Sequence, residues 1–496
     1  MASGSISCGA VRLGDGALAG LPPDVAGPRY DRTHTHIGIV HFGPGAFHRA
    51  HQAAYVDDLL CEDPRWAICG VSLHSRGVRD ALRPQDGLYT LALLEAAPSM
   101  RVIGSIRELL CAPDERPAVL TRLADPAVRL VTLTVTEKGY CMHGDSLDLS
   151  HREIAHDLAA PQAPTSVIGY LVAGLRERQR HGLQPYTVLS CDNLADNGQR
   201  LRRAVLQYAR RVDTGLAAWI EANVGFPRSV VDSITPASDE ALRHRVAARL
   251  GCVDAWPVQR EPYAQWAIED AFCNDRPAFE RAGVTVSRNI EGHDRAKLRL
   301  LNGAHSTLAY LGLLMDIETV ADAMRHPLLS GFVEQLMRED IVPSLDASSG
   351  FDPYAYVDAI LGRFRNPEIH HLLSQIAWDG SQKLPVRILG TVADALATGR
   401  RIGALCVPVA AWMRFVCRQA RNGKVPVDPL ADALMSIGRA ATGSAQHDVD
   451  AFLGLDSVFV PLSGDARFVE AVRDAYAAFG DGSPAAAVRM LESTSR

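Results

Sequence analysis

The sequence predicts an α/β protein: a Rossmann-like, doubly wound parallel sheet in the N-terminal part, followed by a mostly α-helical C-terminal part. Three observations lead there. Short apolar runs alternate with helical patterns up to about Gly292. The first of these runs, residues 36–42 (HIGIVHF), ends in the turn Gly43-Pro44-Gly45 and passes into an apolar, helix-like run, the strand–turn–helix order of a phosphate-binding unit. Beyond Gly292 the strand signals fade and apolar positions recur at helical spacing, broken by Pro343, Pro367, Pro385, Pro408 and Pro426.

In the first unit Phe42 closes the strand, Gly43 permits the tight turn and Gly45 lets backbone approach a pyrophosphate. The helix opening at Ala46-Phe47 offers free N–H groups and a positive dipole end, and His48 stands where a third glycine is usual. Further strands are predicted at 66–73, 89–94, 128–135, 186–191 and 229–235, and helices at 114–123, 166–180 and 197–211 with Asp114, Ser166 and Asn197 placed to cap them. The second strand ends Ser72-Leu73-His74-Ser75-Arg76, with no carboxylate at the tip to hold the ribose hydroxyls of a dinucleotide. The predicted division is 30–288 for a dinucleotide-binding domain and 289–492 for a helical substrate domain, the cut lying within 285–295. A loose lead is expected before Arg29 and a loose tail after Leu491.

With 496 residues, 47% hydrophobic and 22% charged, the chain can bury a large core in two or three domains. A net charge of −6 offers no basic field to nucleic acid or an anionic membrane. No apolar run reaches about 18 residues, so no spanning helix is expected. Residues 1–22 lack the basic start and apolar middle of a secretory signal, so a cytoplasmic location is expected. Ten cysteines without a CxxC pair read as reduced, structural thiols.

The segment 297–312, KLRLLNGAHSTLAYLG, sets a lysine, an asparagine and a histidine into an apolar helical pattern. At roughly 100° per residue, Asn302 lies about 140° and His305 about 80° around the axis from Lys297, so all three can line one wall of a cleft. Gly303, Ala304 and Ser306 leave room there for a ligand. Polar groups also sit at predicted strand ends: Ser190-Cys191-Asp192-Asn193 with Asn197, and Asp232 in FPRSVVDSITP, whose carboxylate needs either a structural partner or a substrate hydroxyl. The turn Thr136-Glu137-Lys138-Gly139-Tyr140 is placed to border a nicotinamide. His34, His36, His41, His48 and His51 crowd the N-terminal region, but no cysteine or carboxylate joins them at ligand spacing, and no metal is expected.

Together GPGAFHRAHQAAYVDDLL, TEKGY, SCDNL, FPRSVVDSITP and KLRLLNGAHSTLAYLG strongly resemble the mannitol dehydrogenase family of polyol-specific long-chain dehydrogenases and reductases, in the family's order and over nearly the whole chain. The resemblance implies metal-independent hydride transfer between NAD and a sugar alcohol or keto-sugar; NADP stays open because the second strand tip carries no carboxylate. It implies that Lys297 is the general base, an amine whose burial would bring its pKa down from about 10.4 towards neutrality. Asn193 and Asn302 resemble the pair that hydrogen-bonds the reacting oxygen, His305 the residue that orients the hydroxyl, and Asp232 one that receives hydroxyls further along the substrate. Asp294 stands where the family commonly places a glutamate thought to gate proton exchange.

In residues 375–389, QIAWDGSQKLPVRIL, Lys383 matches a substrate-facing lysine, while Gln375 stands where mannitol-oxidising members use arginine. The QIA-DG-QKLP pattern looks like that of the fructuronate reductases, also called mannonate oxidoreductases. A keto-uronate carries a carboxylate that Lys383 or Arg387 can neutralise. Fructuronate reduction is therefore expected ahead of mannitol 2-dehydrogenase or arabinitol 4-dehydrogenase activity. A catalytically silent nucleotide-binding regulator is the alternative of another class, and Lys297, Asn302 and His305 argue against it. No zipper or apolar edge demands a partner, so a monomer is expected.

Overall fold

Five strands, β1 (Ile37–Phe42), β2 (Ala67–Ser72), β3 (Ile106–Cys111), β4 (Leu130–Leu133) and β5 (Thr187–Ser190), form a parallel sheet in the order β3-β2-β1-β4-β5 in the computed structural model of the chain. Residues 11–97, 99–345 and 351–494 are described. The chain divides between Ile290 and Glu291 into two compact units.

In the N-terminal unit the strand period of two sends Val40, Phe42, Val131 and Leu133 to one face and Ile39 and Leu130 to the other. The first face packs against helices Val167–Arg180 and Asn197–Val212, and the second against helix Gln52–Leu59 together with Trp66 and Trp266. Burial on both faces explains why β1, β2 and β4 read as continuous apolar runs. Winding reverses between β1 and β4, and the crevice beyond their C-terminal ends is where an open α/β sheet takes a ligand.

Several expectations change. Strand β3 is an edge strand whose sequence IRELLC sets the adjacent charges Arg107 and Glu108 among its apolar residues, and the search for apolar runs passes over it. The strand expected at 89–94 forms as Tyr89–Leu93 but pairs antiparallel with Met100–Ile103 and parallel with Val258–Arg260, outside the main sheet. The strand expected at 229–235 forms as Ser229–Asp232, antiparallel to Gln265–Glu269 in a third sheet. Within the lead before Arg29, residues 11–28 are packed on the fold: Leu13 is buried and its N–H donates to the Val253 carbonyl at 2.9 Å. The tail likewise continues as helix Pro484–Thr494. Ser166 caps its helix by accepting from Gly169 N–H at 2.9 Å. Asp114 caps nothing and takes Arg76 and Arg79 instead, while Asp196 occupies the cap position before Asn197.

The C-terminal unit is helical. Helices Gly303–Leu314 and Gly403–Arg421 are its most buried elements, the second carrying Pro408 inside it. Gly380 lets backbone pass where a Cβ would stand 2.4 Å from Trp412 Nε1 and 2.7 Å from Tyr310 OH. Three stretches, Lys297–Asn302, Leu336–Ile341 and Pro385–Leu389, are π-helical, a rare form frequently found at functional sites. Among the described residues no helix is long and apolar enough to cross a membrane. The nine described cysteines are free thiols; Cys8 lies outside the described residues.

Candidate active site

The crevice at the switch point of the N-terminal unit is a cavity of about 490 Å³, walled by Gly43 to Gly45 after β1, Ser72 to Ser75 after β2, Thr134 to Thr136 with Lys138 and Gly139 after β4, and His151 and Glu153. Gly43 has φ +89°, and a Cβ there would lie 2.2 Å from the Thr134 carbonyl oxygen, so only glycine fits. The turn is held from below by His41. Its Nδ1 pairs with Thr132 Oγ1 at 2.7 Å, and its Nε2 lies 2.9 Å from Thr134 Oγ1 and 3.1 Å from the Gly43 carbonyl oxygen. Thr134 Oγ1 donates to the same carbonyl at 2.7 Å.

His48 stacks on His41 with ring centroids 3.4 Å apart and planes 10° apart. In the general dinucleotide-binding turn the third glycine serves close helix–strand packing, and here a pair of stacked flat rings stands in its place. Burial pushes His41 down to about 3 and, with His41, Arg49 and His51 adding, holds His48 well below the usual histidine range. Both are neutral at pH 7. His51 lies 2.9 Å from the Gln265 carbonyl oxygen and 3.0 Å from Gln52 Nε2. These three histidines of the N-terminal cluster are thus engaged within the fold.

Across the crevice, Thr136 holds φ +66°, a strained conformation for a β-branched residue that costs on the order of 1–3 kcal/mol. Asp192, at the tip of β5, holds it: its carboxylate accepts Thr136 N–H at 2.8 Å, Val135 N–H at 3.3 Å and Tyr140 OH at 2.8 Å. Burial raises the Asp192 pKa, and those three donors offset part of the rise. Glu137 points away from the cavity wall; it is exposed and accepts from Arg200 Nη1 at 3.0 Å. Asn193 follows the buried Asp192 and is exposed. Asn197 ties that loop to the strand carrying Asp232: its Nδ2 donates to the Asp192 carbonyl at 3.0 Å and the Ser229 carbonyl at 2.9 Å, while its Oδ1 accepts Ser229 N–H at 3.0 Å. Asp232 is buried at the end of that strand.

In the C-terminal unit Lys297 and Asn302 bound one π-helical turn, and His305 follows in helix Gly303–Leu314. An i→i+5 ladder stacks residues five apart, so Lys297 and Asn302 share a face more closely than the 140° of α-helical spacing allows. Lys297 and His305 are both buried. The room expected beside Gly303 and Ser306 is filled by the Pro385–Leu389 turn. A Cβ on Gly303 would stand 3.0 Å from the Arg387 carbonyl oxygen, and Arg387 Nη1 donates to Ser306 Oγ at 3.1 Å and to the Asn302 carbonyl at 3.4 Å.

His305 sits in a basic neighbourhood. Its ring lies 4.5 Å from that of Phe364 and 5.2 Å from that of His371. Burial, with His371, Arg363 and Arg387 adding, drives its pKa well below the usual range, and its Nε2 is buried without a hydrogen-bond partner. Lys383 donates to the Ile376 carbonyl at 3.3 Å, and burial, then Arg387, lowers its pKa. Arg363 and His371 lie on segments with no motif to single them out, and Thr134 looks like any strand-end threonine; only packing reveals the three.

Residues 37–281 match the mannitol dehydrogenase Rossmann domain and residues 289–479 the mannitol dehydrogenase C-terminal domain. The chain is 41% identical to D-mannonate oxidoreductase of Escherichia coli, over 91% of this chain and 95% of that protein. It is 39% identical to mannitol 2-dehydrogenase of Pyrenophora tritici-repentis, over 91% and 81% respectively. Among solved structures, a substrate-free D-sorbitol dehydrogenase superposes with a TM-score of 0.88 at 33% identity, covering 96% of this chain and all of that one. The ternary complex of Pseudomonas fluorescens mannitol 2-dehydrogenase with NAD and D-mannitol superposes with a TM-score of 0.78 at 35% identity, covering 98% and 99%. With both halves matched and the glycine turn, the Asp192 tip and the Lys297 π-turn in place, the chain belongs to the mannitol dehydrogenase family and is an oxidoreductase of that family.

Proposed function

We propose that this chain is a fructuronate reductase (D-mannonate oxidoreductase) that uses NAD and no catalytic metal, with residues 30–288 binding the dinucleotide and residues 289–492 the substrate. The observation that carries the choice of substrate is the basic cluster around His305. Arg387 packs on the catalytic helix through Ser306, and Lys383 and Arg363 stand near it, so a substrate carboxylate would meet charge-assisted donors. A relative named D-mannonate oxidoreductase at 41% identity agrees with it. Mannitol or arabinitol offers hydroxyls alone and gives these cations no anion to meet.

The cavity fits a dinucleotide: Gly43 admits no side chain, and a Cβ on Gly45 would meet nothing nearer than the Gly43 carbonyl at 3.9 Å, leaving that side open to a pyrophosphate. Phe42 ends the supporting strand, Ala46 and Phe47 open the helix, and Glu137, paired with Arg200, is left an indirect part. NAD is favoured over NADP because Arg76, at the β2 tip, is neutralised by two contacts with Asp114 at 2.6 and 2.7 Å rather than offered to a 2′-phosphate. The solved P. fluorescens relative carries NAD.

Bound nicotinamide supplies or accepts the hydride. Lys297 gives a proton to the substrate oxygen during carbonyl reduction and takes it back during alcohol oxidation. The carboxamides of Asn193 and Asn302 donate to that oxygen while it carries negative charge, where fixed donors lower the barrier most. Neutral His305 meets the adjoining hydroxyl with its unpartnered Nε2, and Asp232 accepts from hydroxyls further along. The reading carries with it a cytoplasmic monomer acting on small molecules. A panel of fructuronate, fructose, mannitol and arabinitol with NADH or NAD, and their phosphorylated counterparts NADPH or NADP, tests it. The highest kcat/KM is expected for fructuronate with NADH; a preference for fructose, or equal rates with NADPH, refutes the corresponding part.

A further inference from the structure

Beside the Rossmann cavity lies a cluster that hydride transfer does not use. The ligand atoms of Cys141, His151 and Glu153 all lie within 4.8 Å of one another, the one such group of three or more among the described residues. His151 and Glu153 line the cavity, as does His74, whose Nε2 is 3.6 Å from Glu153 Oε1. Two further observations mark the cluster as more than chance proximity. Cys141 holds φ +52°, a backbone conformation that non-glycine residues adopt at a cost, and the thiol it carries is buried. The Nδ1 of His151 is buried with no hydrogen-bond partner.

We propose that Cys141, His151 and Glu153 form a binding site for a zinc-class divalent ion in the wall of the cavity, with the fourth position open to solvent, and that the ion competes with the dinucleotide. One thiolate, one imidazole and one carboxylate suit zinc or cobalt and not magnesium or calcium, which take oxygen ligands. One thiolate and one carboxylate also cancel the dication, so the half-buried wall keeps no net charge. On binding, the thiol proton leaves to solvent as the sulfur–metal bond forms, so one proton is released per ion. The competition rests on the cavity being the dinucleotide site; the ion site itself does not.

Cobalt(II) is the probe. Titrated into metal-free full-length protein, one equivalent is expected to produce a thiolate-to-cobalt charge-transfer band and the visible bands of a tetrahedral ion, both removed by added zinc. Cys141→Ser should abolish the charge-transfer band. Glu153→Gln, a change in a partly exposed side chain, should weaken binding about tenfold or more while leaving the circular dichroism spectrum unaltered. Calorimetry in buffers of different ionisation heat should report one proton released. Absence of the band in the parent protein, or an undiminished band in Cys141→Ser, overturns the site. A Cys141-dependent band that survives saturating NADH leaves the ion site standing and overturns the competition.

Discussion

Replacing His48 by phenylalanine isolates what it costs to keep an imidazole uncharged beneath the glycine turn. His48 is 1% exposed and stacked on His41, and burial holds its pKa well below the usual range. In the unfolded chain the same group titrates near about 6.5. Below that pH the unfolded state binds a proton that the folded state refuses. The stability this neutral site contributes is therefore intact above about pH 6.5 and declines as pH falls. Between pH 7 and pH 5 the unfolded histidine passes from about one-quarter to almost fully protonated, and the loss works out at about 2 kcal/mol. Phenylalanine preserves the ring stack and binds no proton. The variant should lose about 2 kcal/mol less than the parent over that interval, whatever its absolute stability. Asp57, Asp192 and Asp254, whose pKa values burial raises, act in the opposite direction in both proteins and cancel in the difference. Urea unfolding at the two pH values, followed by tryptophan emission, measures both slopes. Equal pH dependence in parent and variant would refute the reasoning.

Lys297→Ala should lower turnover by about a hundredfold or more while NADH titration stays nearly normal, and retained turnover would remove the lysine from the proton path. Gly43→Ala forces a Cβ to 2.2 Å from the Thr134 carbonyl at φ +89°, so the turn must move. NADH affinity should fall about tenfold or more, with stability lower by about 1–3 kcal/mol by thermal unfolding; unchanged NADH binding would show that the turn does not serve the cofactor. Because burial and Arg387 lower the Lys383 pKa, its cation is lost at lower pH than that of an ordinary lysine. The KM for fructuronate should therefore rise on the alkaline side while that for fructose does not, and Lys383→Arg, which keeps its charge, should flatten the fructuronate profile.

What could be read from the chain was local chemistry. The run from Ile37 through Gly43 to Ala46 carries its own instructions, because a doubly buried strand is a continuous apolar run and a φ of +89° calls for glycine. Ser166 announces its helix for the same reason, its hydroxyl meeting Gly169 N–H within one turn. Asp114 and Asn197 carry the same kind of signal but answer to distant partners, Arg76 and Arg79 in one case and Ser229 in the other. A capping propensity cannot compete with a buried or bidentate partner that only folding brings near.

By itself the sequence determined the class of fold, the glycine turn, and which polar residues interrupt apolar patterns: Asp192, Asp232, Lys297, Asn302 and His305. Each of these follows from contacts within a turn or a strand, where spacing along the chain is spacing in space. Only the tertiary structure decided that Tyr89–Leu93 and Ser229–Asp232 leave the main sheet, that IRELLC forms its edge, and that Lys297–Asn302 unwinds to a π-helix. It also decided that Arg387 occupies the space beside Gly303 and that Arg363 and His371 gather near His305. Strand partners and side-chain neighbours are chosen by the pairing and burial of segments tens to hundreds of residues apart, and no local period encodes that choice.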